Sequence, residues 1–262
     1  MSEARVEVLV ERVSRTTLIT LSRPEARNAL TLSVLRAVRE ALEAAAVDPD
    51  VRCVALTGAG GHFCAGADLR KNLEDPDMLQ KLPFYMDEFH GVIRAIVRCP
   101  KPTIAIVDGA AVGFGADMVF ACDLRVVSTA AYVQEKFVNL GLMPDGGGTL
   151  WLPRLVGTSR ALQLMLLAEK LDAEKMVELG LAATVAPPEH LRAAGLALAE
   201  RIEKGPPLAY AAIKRAVYDG FGSVEDALRR EREGQLALLR TQDLLEGVMA
   251  WAQKREPSFQ GR

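Results

Sequence analysis

The sequence lacks the long apolar run that a membrane-spanning helix needs. No uninterrupted hydrophobic stretch approaches the ~20 residues required to cross a bilayer, although half of the 262 residues are hydrophobic. Residues 1–5 also lack the apolar core of a secretory signal. We therefore expect a cytoplasmic protein with no membrane partner, and the chain is long enough to bury a full core.

Strong charge of either sign is also missing. The net charge of −2 gives no basic surface for nucleic acid, so we expect no nucleic-acid partner. Neither GxGxxG nor GxxxxGK[ST] occurs between a strand and a helix, which excludes dinucleotide and P-loop binding. A local basic cluster could still hold a small phosphorylated ligand.

Cysteine and histidine are scarce and scattered. Without a CxxC pair or a nearby pair of histidines, the sequence supports neither a metal site nor a disulfide framework. A Cys64 nucleophile served by His62 is disfavoured because no third group is visible to orient the histidine. We expect four buried free thiols: Cys53, Cys64, Cys99 and Cys122.

The first third of the chain predicts a hairpin followed by a β-α-β unit. Alternating residues indicate strands at 6–10 and 17–21, the second stopped by Pro24. Thr31 is a typical N-cap for an amphipathic helix that ends before Asp48. A nearly unbroken apolar run at 51–56 then predicts a strand covered on both faces.

Strands continue to alternate with helices through the middle of the chain, which predicts an α/β fold. A polar stretch interrupted by Pro83 predicts a mobile surface segment at 71–83. The other predicted elements are a helix at 84–97, a strand at 103–107, a short helix at 115–121, and strands at 124–127 and 132–133.

The last third is mainly helical. Its apolar stripes could pack on the parent core or on another subunit. We predict an α/β core over residues 1–200 and a C-terminal helical lobe over residues 201–262. The predicted helices cover 159–168, 173–179, 189–203, 206–218 and 224–254, with a short strand at 183–185.

The segment 108–149 carries the chemistry. Its glycines, Gly113 and Gly115, leave backbone N–H groups open to a ligand, and two acids, Asp117 and Asp145, stand in apolar surroundings. Such parts can remove a proton from carbon and hold the resulting oxyanion. Simpler readings exist: the glycines allow tight packing, Asp145 belongs to a Pro-Asp-Gly turn, and Asp117 suits a helix N-terminus.

Four motifs in order resemble the crotonase superfamily, which includes the enoyl-CoA hydratases and isomerases. They are LSRPEARNAL at 21–30, FCAGADL at 63–69, GAAVGFGAD at 109–117 and GLMPDGGGT at 141–149. The resemblance covers essentially the whole chain, including the tail at 254–259. It implies a spiral of β-β-α repeats that forms two stacked sheets, with C-terminal helices that assemble a homotrimer or a dimer of trimers.

The resemblance also implies an acyl-CoA thioester substrate and no other cofactor. Two backbone N–H groups, of Ala67 and Phe114, would stabilise its enolate. Phe114 replaces the glycine frequent at that position, but a backbone donor needs no particular side chain. Arg27 is either a surface charge or a contact of the CoA phosphates, and Arg23 offers the same alternatives. The residues expected at the substrate are Arg27, Ala29, Ala65, Gly66, Asp68, Leu69, Gly113 and Phe137.

The acids depart from the hydratase pattern. Hydratases that resemble the best-known type of this family use two glutamates. The matching positions here hold Asp117 and Phe137. Asp145 instead matches an essential aspartate of dienoyl-CoA isomerases, of ring-opening isomerases of phenylacetate breakdown and of a CoA-linked aryl dehalogenase. This predicts a double-bond shift with Asp145 as acid and base, its pKa raised by burial beside Phe137 and Trp151.

Two alternatives stay open on the sequence. One is hydration of a 2-enoyl-CoA by Asp117 and Asp145 together, and the other is a non-catalytic acyl-CoA-binding subunit. The acyl group is not readable, because it depends on residues 71–89 and on the helical lobe.

Overall fold

A computed structural model describes residues 6–74, 76–220 and 223–262. The segment 1–5, on which the expectation of no secretory signal rests, lies outside the described residues. The chain begins with an antiparallel hairpin of β1 (Val8–Val13) and β2 (Thr16–Leu21). The predicted first strand, 6–10, is wrong in its bounds. The second half of β1 carries charged residues, which suit an exposed edge strand. Ser14 lies in the turn that follows, with φ 54°.

Helix α1 (Leu32–Val47) begins where the sequence predicts. The Thr31 side chain accepts a hydrogen bond from the Val34 N–H and so satisfies one of the free donors of the first turn. The apolar stripe of α1, which includes Val38 and Leu42, is buried. Strand β3 (Cys53–Gly58) follows and pairs in parallel with β2, which confirms the predicted β-α-β unit.

Two helices occupy the region for which a mobile segment is predicted. They are α2 (Leu69–Leu73) and α3 (Met78–Arg98), separated by a stretch that includes Asp75, which is outside the described residues. The predicted start of the second helix at residue 84 is wrong, because α3 continues through Pro83. Proline removes one backbone hydrogen bond, but α3 buries Phe89, Val92 and Ile96 in the core, and this packing stabilises the helix.

The centre of the chain alternates between the two sheets. It comprises β4 (Thr103–Val107), β5 (Ala110–Val112), α4 (Phe114–Ala121), β6 (Leu124–Ser128) and β7 (Tyr132–Gln134). The next elements are α5 (Gly148–Val156), α6 (Thr158–Leu166), β8 (Lys170–Asp172), α7 (Ala173–Glu178) and β9 (Thr184–Ala186).

Nine strands of the described chain form two sheets. The larger has the order β1-β2-β3-β4-β6-β9 and is parallel except for β1, whereas the smaller has the order β5-β7-β8. The predicted α/β fold with two sheets and C-terminal helices is confirmed. Strands β5 and β8, of three residues each, are absent from the prediction.

Four helices complete the chain: α8 (Pro188–Glu203), α9 (Pro207–Tyr218), α10 (Val224–Leu238) and α11 (Gln242–Gln253). The single helix predicted over 224–254 is wrong, because the chain breaks after α10 and Thr241 caps α11. Helix α8 packs on β3, β4 and β6, with Gly195 against Ile106. The predicted division at residue 200 falls inside α8 and stays a prediction. None of the described helices combines the length and the apolarity needed to cross a membrane.

Candidate active site

Two loops meet at one edge of the core. Residue Cys64 pairs with Ala111: the Cys64 N–H donates to the Ala110 carbonyl and the Val112 N–H donates to the Cys64 carbonyl, both at 2.9 Å. On the other side of the first loop, Leu30 pairs with Ala67 through the flanking residues of Ala67. In such a parallel bridge the N–H of Ala67 itself points away from Leu30. The pairing therefore fixes the direction of this amide.

The second predicted donor lies at the start of α4. Gly113 adopts φ 56°, its N–H donates to the Gln134 carbonyl at 2.9 Å, and Phe114 is the first helical residue. A Cβ atom at Gly66 would lie 2.9 Å from the Val112 carbonyl oxygen and 3.7 Å from the Phe114 nitrogen, so only glycine permits this approach. Within the described part of the chain, the N–H groups of Ala67 and Phe114 donate no hydrogen bond.

Both amides border a cavity of about 270 Å³. Phe89, on α3, packs against Phe114 with ring centroids 4.6 Å apart, and Phe137 lies 3.8 Å from the position of a Cβ on Gly113. The walls are mainly apolar, and they include Leu140 and Leu142. The predicted site residues that line the cavity are Ala65, Gly66, Ala67, Leu69, Gly113, Phe114, Phe137 and Asp145.

The remaining predicted contacts lie away from the cavity lining. Ala29 is buried, and Arg27 is exposed, in the left-handed conformation, with φ 50°. Asp68 accepts a hydrogen bond from Arg23 at 2.9 Å, and Arg23 also pairs with Glu7 at 2.9 Å. Burial by itself would raise the pKa of Asp68, but the bonds from Arg23 and from the Lys71 N–H outweigh it and lower the pKa. Asp68 thus holds the loop next to Ala67, and Arg23 is engaged inside the protein rather than free for a phosphate.

Asp145 brings a carboxyl group to the cavity. It follows the 3₁₀ turn Phe137–Leu140, is half-buried, and its Oδ1 has no hydrogen-bond partner among the described residues. Burial raises the pKa of Asp145, and His90 opposes the shift, so the predicted direction is confirmed. The Nε2 atom of His90 lies 3.0 Å from the Asp145 carbonyl oxygen. This contact has no signal in the sequence, since His90 stands alone in a helix.

Asp117 lies behind the cavity wall and not in it. It is fully buried, and its Oδ2 accepts a hydrogen bond from the Gly146 N–H at 3.0 Å. A Cβ atom at Gly146 would lie 2.5 Å from the Cβ of Asp117, so the glycine allows the Asp145 loop to rest on this carboxyl. Burial, and then the charge of Asp145, raise the pKa of Asp117 to about 8.

A third acid, Glu135, was missed by the sequence analysis. It follows β7, is only 3% exposed, and neither of its carboxyl oxygens has a hydrogen-bond partner within the described chain. Burial, followed by the charges of Asp117 and Asp145, raises its pKa well above the ordinary value. The run Gln134-Glu135-Lys136 is typical of a solvated surface, which is why the pattern concealed it. Among the described residues, no cluster of three or more acidic, His or Cys side chains could hold a metal ion.

The chain is similar to known proteins over nearly its whole length. Residues 11–262 match the family model described as "Enoyl-CoA hydratase/isomerase". A "Probable enoyl-CoA hydratase" of Rhodobacter capsulatus is 37% identical over 247 residues, which cover 93% of this chain and 94% of that protein. The "1,2-epoxyphenylacetyl-CoA isomerase" of Escherichia coli is 34% identical over 247 residues, with the same two coverages.

The structural likeness is equally broad. The crystal structure of an enoyl-CoA hydratase from Bacillus anthracis superposes with a TM-score of 0.93 at 29% identity, and the match covers 98% of this chain and 100% of that one. The fold is that of the crotonase superfamily. Within it, the chain belongs to the enoyl-CoA hydratase/isomerase family and is an enzyme of the hydratase/isomerase type. This overturns the alternative of a non-catalytic subunit.

Proposed function

We propose that the enzyme shifts a double bond along the acyl chain of an unsaturated acyl-CoA thioester. The observation that carries the proposal is the lining of the cavity. Among the described residues that border it, Asp145 is the only acidic side chain, and it shares the space with the free N–H groups of Ala67 and Phe114. The position at which related hydratases carry a second glutamate is occupied here by the apolar ring of Phe137.

The proposed steps need one carboxylate and two amides. The thioester oxygen of a 3-enoyl-CoA accepts hydrogen bonds from Ala67 and Phe114, and the carboxylate of Asp145 removes a proton from the α-carbon. The electron pair of that C–H bond moves into a dienolate whose negative oxygen faces the amides. Protonated Asp145 then returns the proton to the γ-carbon, which leaves the double bond between the α- and β-carbons.

The proposed reaction is a balanced isomerisation of the substrate. One proton leaves carbon and one returns, with no net change of oxidation state, so the proposal requires no cofactor other than the CoA that the substrate carries. With a pKa of about 8, Asp117 is mainly neutral at pH 7. Asp145 is therefore the group suited to act as the base, since it is only half-buried and faces the substrate space.

Hydration of a 2-enoyl-CoA by Asp117 and Asp145 is the second candidate. Relatives named as hydratases favour it, as does the position of Asp117 directly behind the Gly146 N–H. Its difficulty is geometric: water in the cavity meets one carboxyl group, and Asp117 is fully buried.

Separate incubations with crotonyl-CoA and with a 3-enoyl-CoA distinguish the two reactions. We expect conversion of the 3-enoyl-CoA to its 2-enoyl isomer and slow or no addition of water to crotonyl-CoA. A Phe137→Glu variant is the matched comparison, because it restores a second carboxyl group to the cavity and is expected to gain hydration. Fast hydration by the unchanged enzyme, without positional isomerisation, would refute the proposal.

We further propose that the protein assembles as a homotrimer or a dimer of trimers through its C-terminal helices. Helices α10 and α11 expose large apolar side chains, and Trp251 is 83% exposed in the single chain. Burial of such groups at about 25 cal/mol per Å² is a sufficient reason for association. Sedimentation velocity checks the mass, and a monomer at micromolar concentration would contradict this assembly. Other exposed apolar residues of these helices are Leu228, Leu236, Leu245, Val248 and Met249.

A further inference from the structure

The carboxyl groups of Asp117 and Glu135 form a buried pair directly behind the Asp145 loop. Asp117 comes from α4 and Glu135 follows β7, so the fold brings the two acids together from separate elements. Both side chains are more than nine-tenths buried. Three of their four carboxyl oxygens have no hydrogen-bond partner among the described residues. A buried acid without partners costs free energy, so this arrangement is not one that stability favours.

The backbone of Gly148 separates the two acids and shows how they face each other. A Cβ atom at this position would lie 2.7 Å from Oδ1 of Asp117 and 2.9 Å from Oε1 of Glu135. The two oxygens without partners are therefore directed at the same point. Since each lies within 3 Å of that point, one water molecule with ordinary hydrogen bonds of about 2.8 Å can span the distance between them and carry a proton from one to the other.

We infer that Glu135 is a positioning residue that shares a proton with Asp117, which limits the pair to one negative charge and fixes the backbone behind Asp145. The inference rests on the proposed function, because it assigns the resulting control of charge to the base of that reaction. Two carboxyl groups in one buried space cannot both ionise readily, which is the physical reason for a retained proton.

Among the described residues, no cation acts on either acid to favour the loss of that proton. Asp145, from the adjoining loop, adds negative charge to both acids, and the Gly146 N–H is a neutral donor to Asp117. His90, on α3, acts on Asp145. The indole N–H of Trp151 has no acceptor within the described chain, and its Nε1 lies 2.6 Å from the position of a Cβ on Gly147. The raised pKa of each acid agrees with this environment.

The pair has a consequence for catalysis as the pH rises. Below about pH 8 Asp117 holds its proton, and burial together with the two neighbouring acids favours the protonated form of Glu135, so Asp145 carries the negative charge that removes the α-proton. Above that pH, Asp117 releases a proton to solvent, and the Glu135 O–H stabilises the new carboxylate by a hydrogen bond. The new negative charge lies behind the site where the enolate forms, so the rate of enolate formation falls.

Two substitutions separate a positioning role from simple space filling. Glu135→Gln keeps the size and a hydrogen-bond donor, so we expect kcat within about 3-fold of the unchanged enzyme and the same alkaline limb of the pH profile. Glu135→Met keeps the volume but removes the donor. We expect it to lower kcat by about 10-fold or more with an unchanged KM, and to move the alkaline limb upward by about one pH unit.

The readouts distinguish this inference from the proposed function. The pH profile is measured as exchange of α-protons into deuterated water. In parallel, infrared difference spectra of the unliganded enzyme follow the bands of the protonated carboxyl groups, from which Glu135→Gln removes the contribution of Glu135 at pH 7 and leaves that of Asp117. If exchange proceeds but neither variant changes the profile, kcat or the infrared band, Glu135 is only structural. If the band is present and no acyl-CoA exchanges its protons, the proposed function fails and the shared proton stands.

Discussion

Two carboxyl clusters in the same fold, one partly buried around Asp123 and one fully buried at Asp117 and Glu135, are built in opposite ways. Asp123 receives the Lys214 ammonium at 2.7 Å, the N–H and hydroxyl of Thr103 at 2.7 and 2.9 Å, and the Tyr218 hydroxyl at 2.9 Å. The Asp117–Glu135 pair receives only backbone N–H groups, of Gly146 and Gly148, and no cation from the described residues. The first cluster joins α9 to the N-terminal ends of β4 and β6, whereas the second lies beneath the candidate active site.

The difference shows where the fold favours stability and where it favours chemistry. At Asp123 every carboxyl oxygen is matched by a donor, so the buried Lys214 ammonium and the partly buried Asp123 carboxylate can both remain charged. Near Asp145 the carboxyl groups have few hydrogen-bond donors. The pKa values of Asp117, Glu135 and Asp145 are therefore raised, which suits proton transfer. Breaking each cluster should therefore affect different properties of the enzyme.

The largest expected effect is the loss of Asp145, the proposed general base. Asp145→Asn removes this carboxylate, and we expect α-proton exchange to fall by about 10² to 10⁴-fold. Binding of a CoA thioester, measured by calorimetry, should change little because the two amides remain. The substitution should also lower the pKa of Asp117, since one repelling charge disappears. Normal turnover in this variant would show that Asp145 serves only the turn.

The next effect concerns the fully matched cluster. Lys214→Met leaves Asp123 without its cation, and the loss of one partner of a buried ion pair costs about 3–5 kcal/mol of unfolding free energy. Urea denaturation followed by circular dichroism measures it. Lys204→Met is the control, because Lys204 pairs with Glu200 on the exposed surface, where water and salt screen the pair and its loss costs little stability. Equal effects of the two substitutions would contradict the contrast drawn here.

A somewhat smaller effect is expected at the oxyanion donors. Phe114→Pro removes one N–H at the first position of α4, where proline is compatible with a helix. We expect the barrier to rise by about 2.7–4 kcal/mol, as for the loss of one oxyanion donor. Phe114→Leu keeps the N–H but loses the ring that packs on Phe89, so it isolates the effect of packing. Similar exchange rates for both variants would argue against this amide as a donor.

The smallest effect is a change in how stability depends on pH. The folded protein keeps protons on Asp117 and Glu135 that the unfolded chain releases near pH 4, because folding raises both pKa values. Stability from these groups therefore falls as pH rises from about 4 to about 8 and beyond. Glu135→Gln removes one such group, so its melting temperature should gain relative to the unchanged protein between pH 5 and pH 9. We expect a gain of a few degrees, at about 2–4 °C per kcal/mol, and a constant difference would refute it.

Much of the fold follows from local patterns. The strand Thr103–Val107 has the predicted bounds, and Thr31 caps α1 as expected, because apolar runs and caps are local signals. The continuation of α3 through Pro83 depends on distant packing, which overrides the local preference of proline. The break between α10 and α11 does have a local signal, the cap at Thr241, but this residue lies within a long periodic stretch that predicts one continuous helix.

The residues that line the candidate site were predictable from the sequence, but the burial of the acids behind it was not. The resemblance placed Ala67, Phe114 and Asp145 in one site, and the structure brings all three to one cavity. Their roles stay predictions. The burial of Asp117 behind Gly146 could not be read from the sequence, and neither could the burial of Glu135. Both follow from how β7, α4 and the glycine run meet in three dimensions, which no local pattern records.

The ion pair between Arg23 and Asp68 connects the first hairpin to the loop that carries Ala67, a proposed donor to the substrate carbonyl. Asp68 follows Ala67 directly, and Arg23 is held in turn by Glu7, next to β1. In the proposed complex, the stretching frequency of the thioester carbonyl depends on how closely the amide of Ala67 approaches its oxygen. That vibration is thus a reporter of the hairpin: loosening Glu7, which does not line the cavity, is expected to shift the band of a bond that Glu7 never touches.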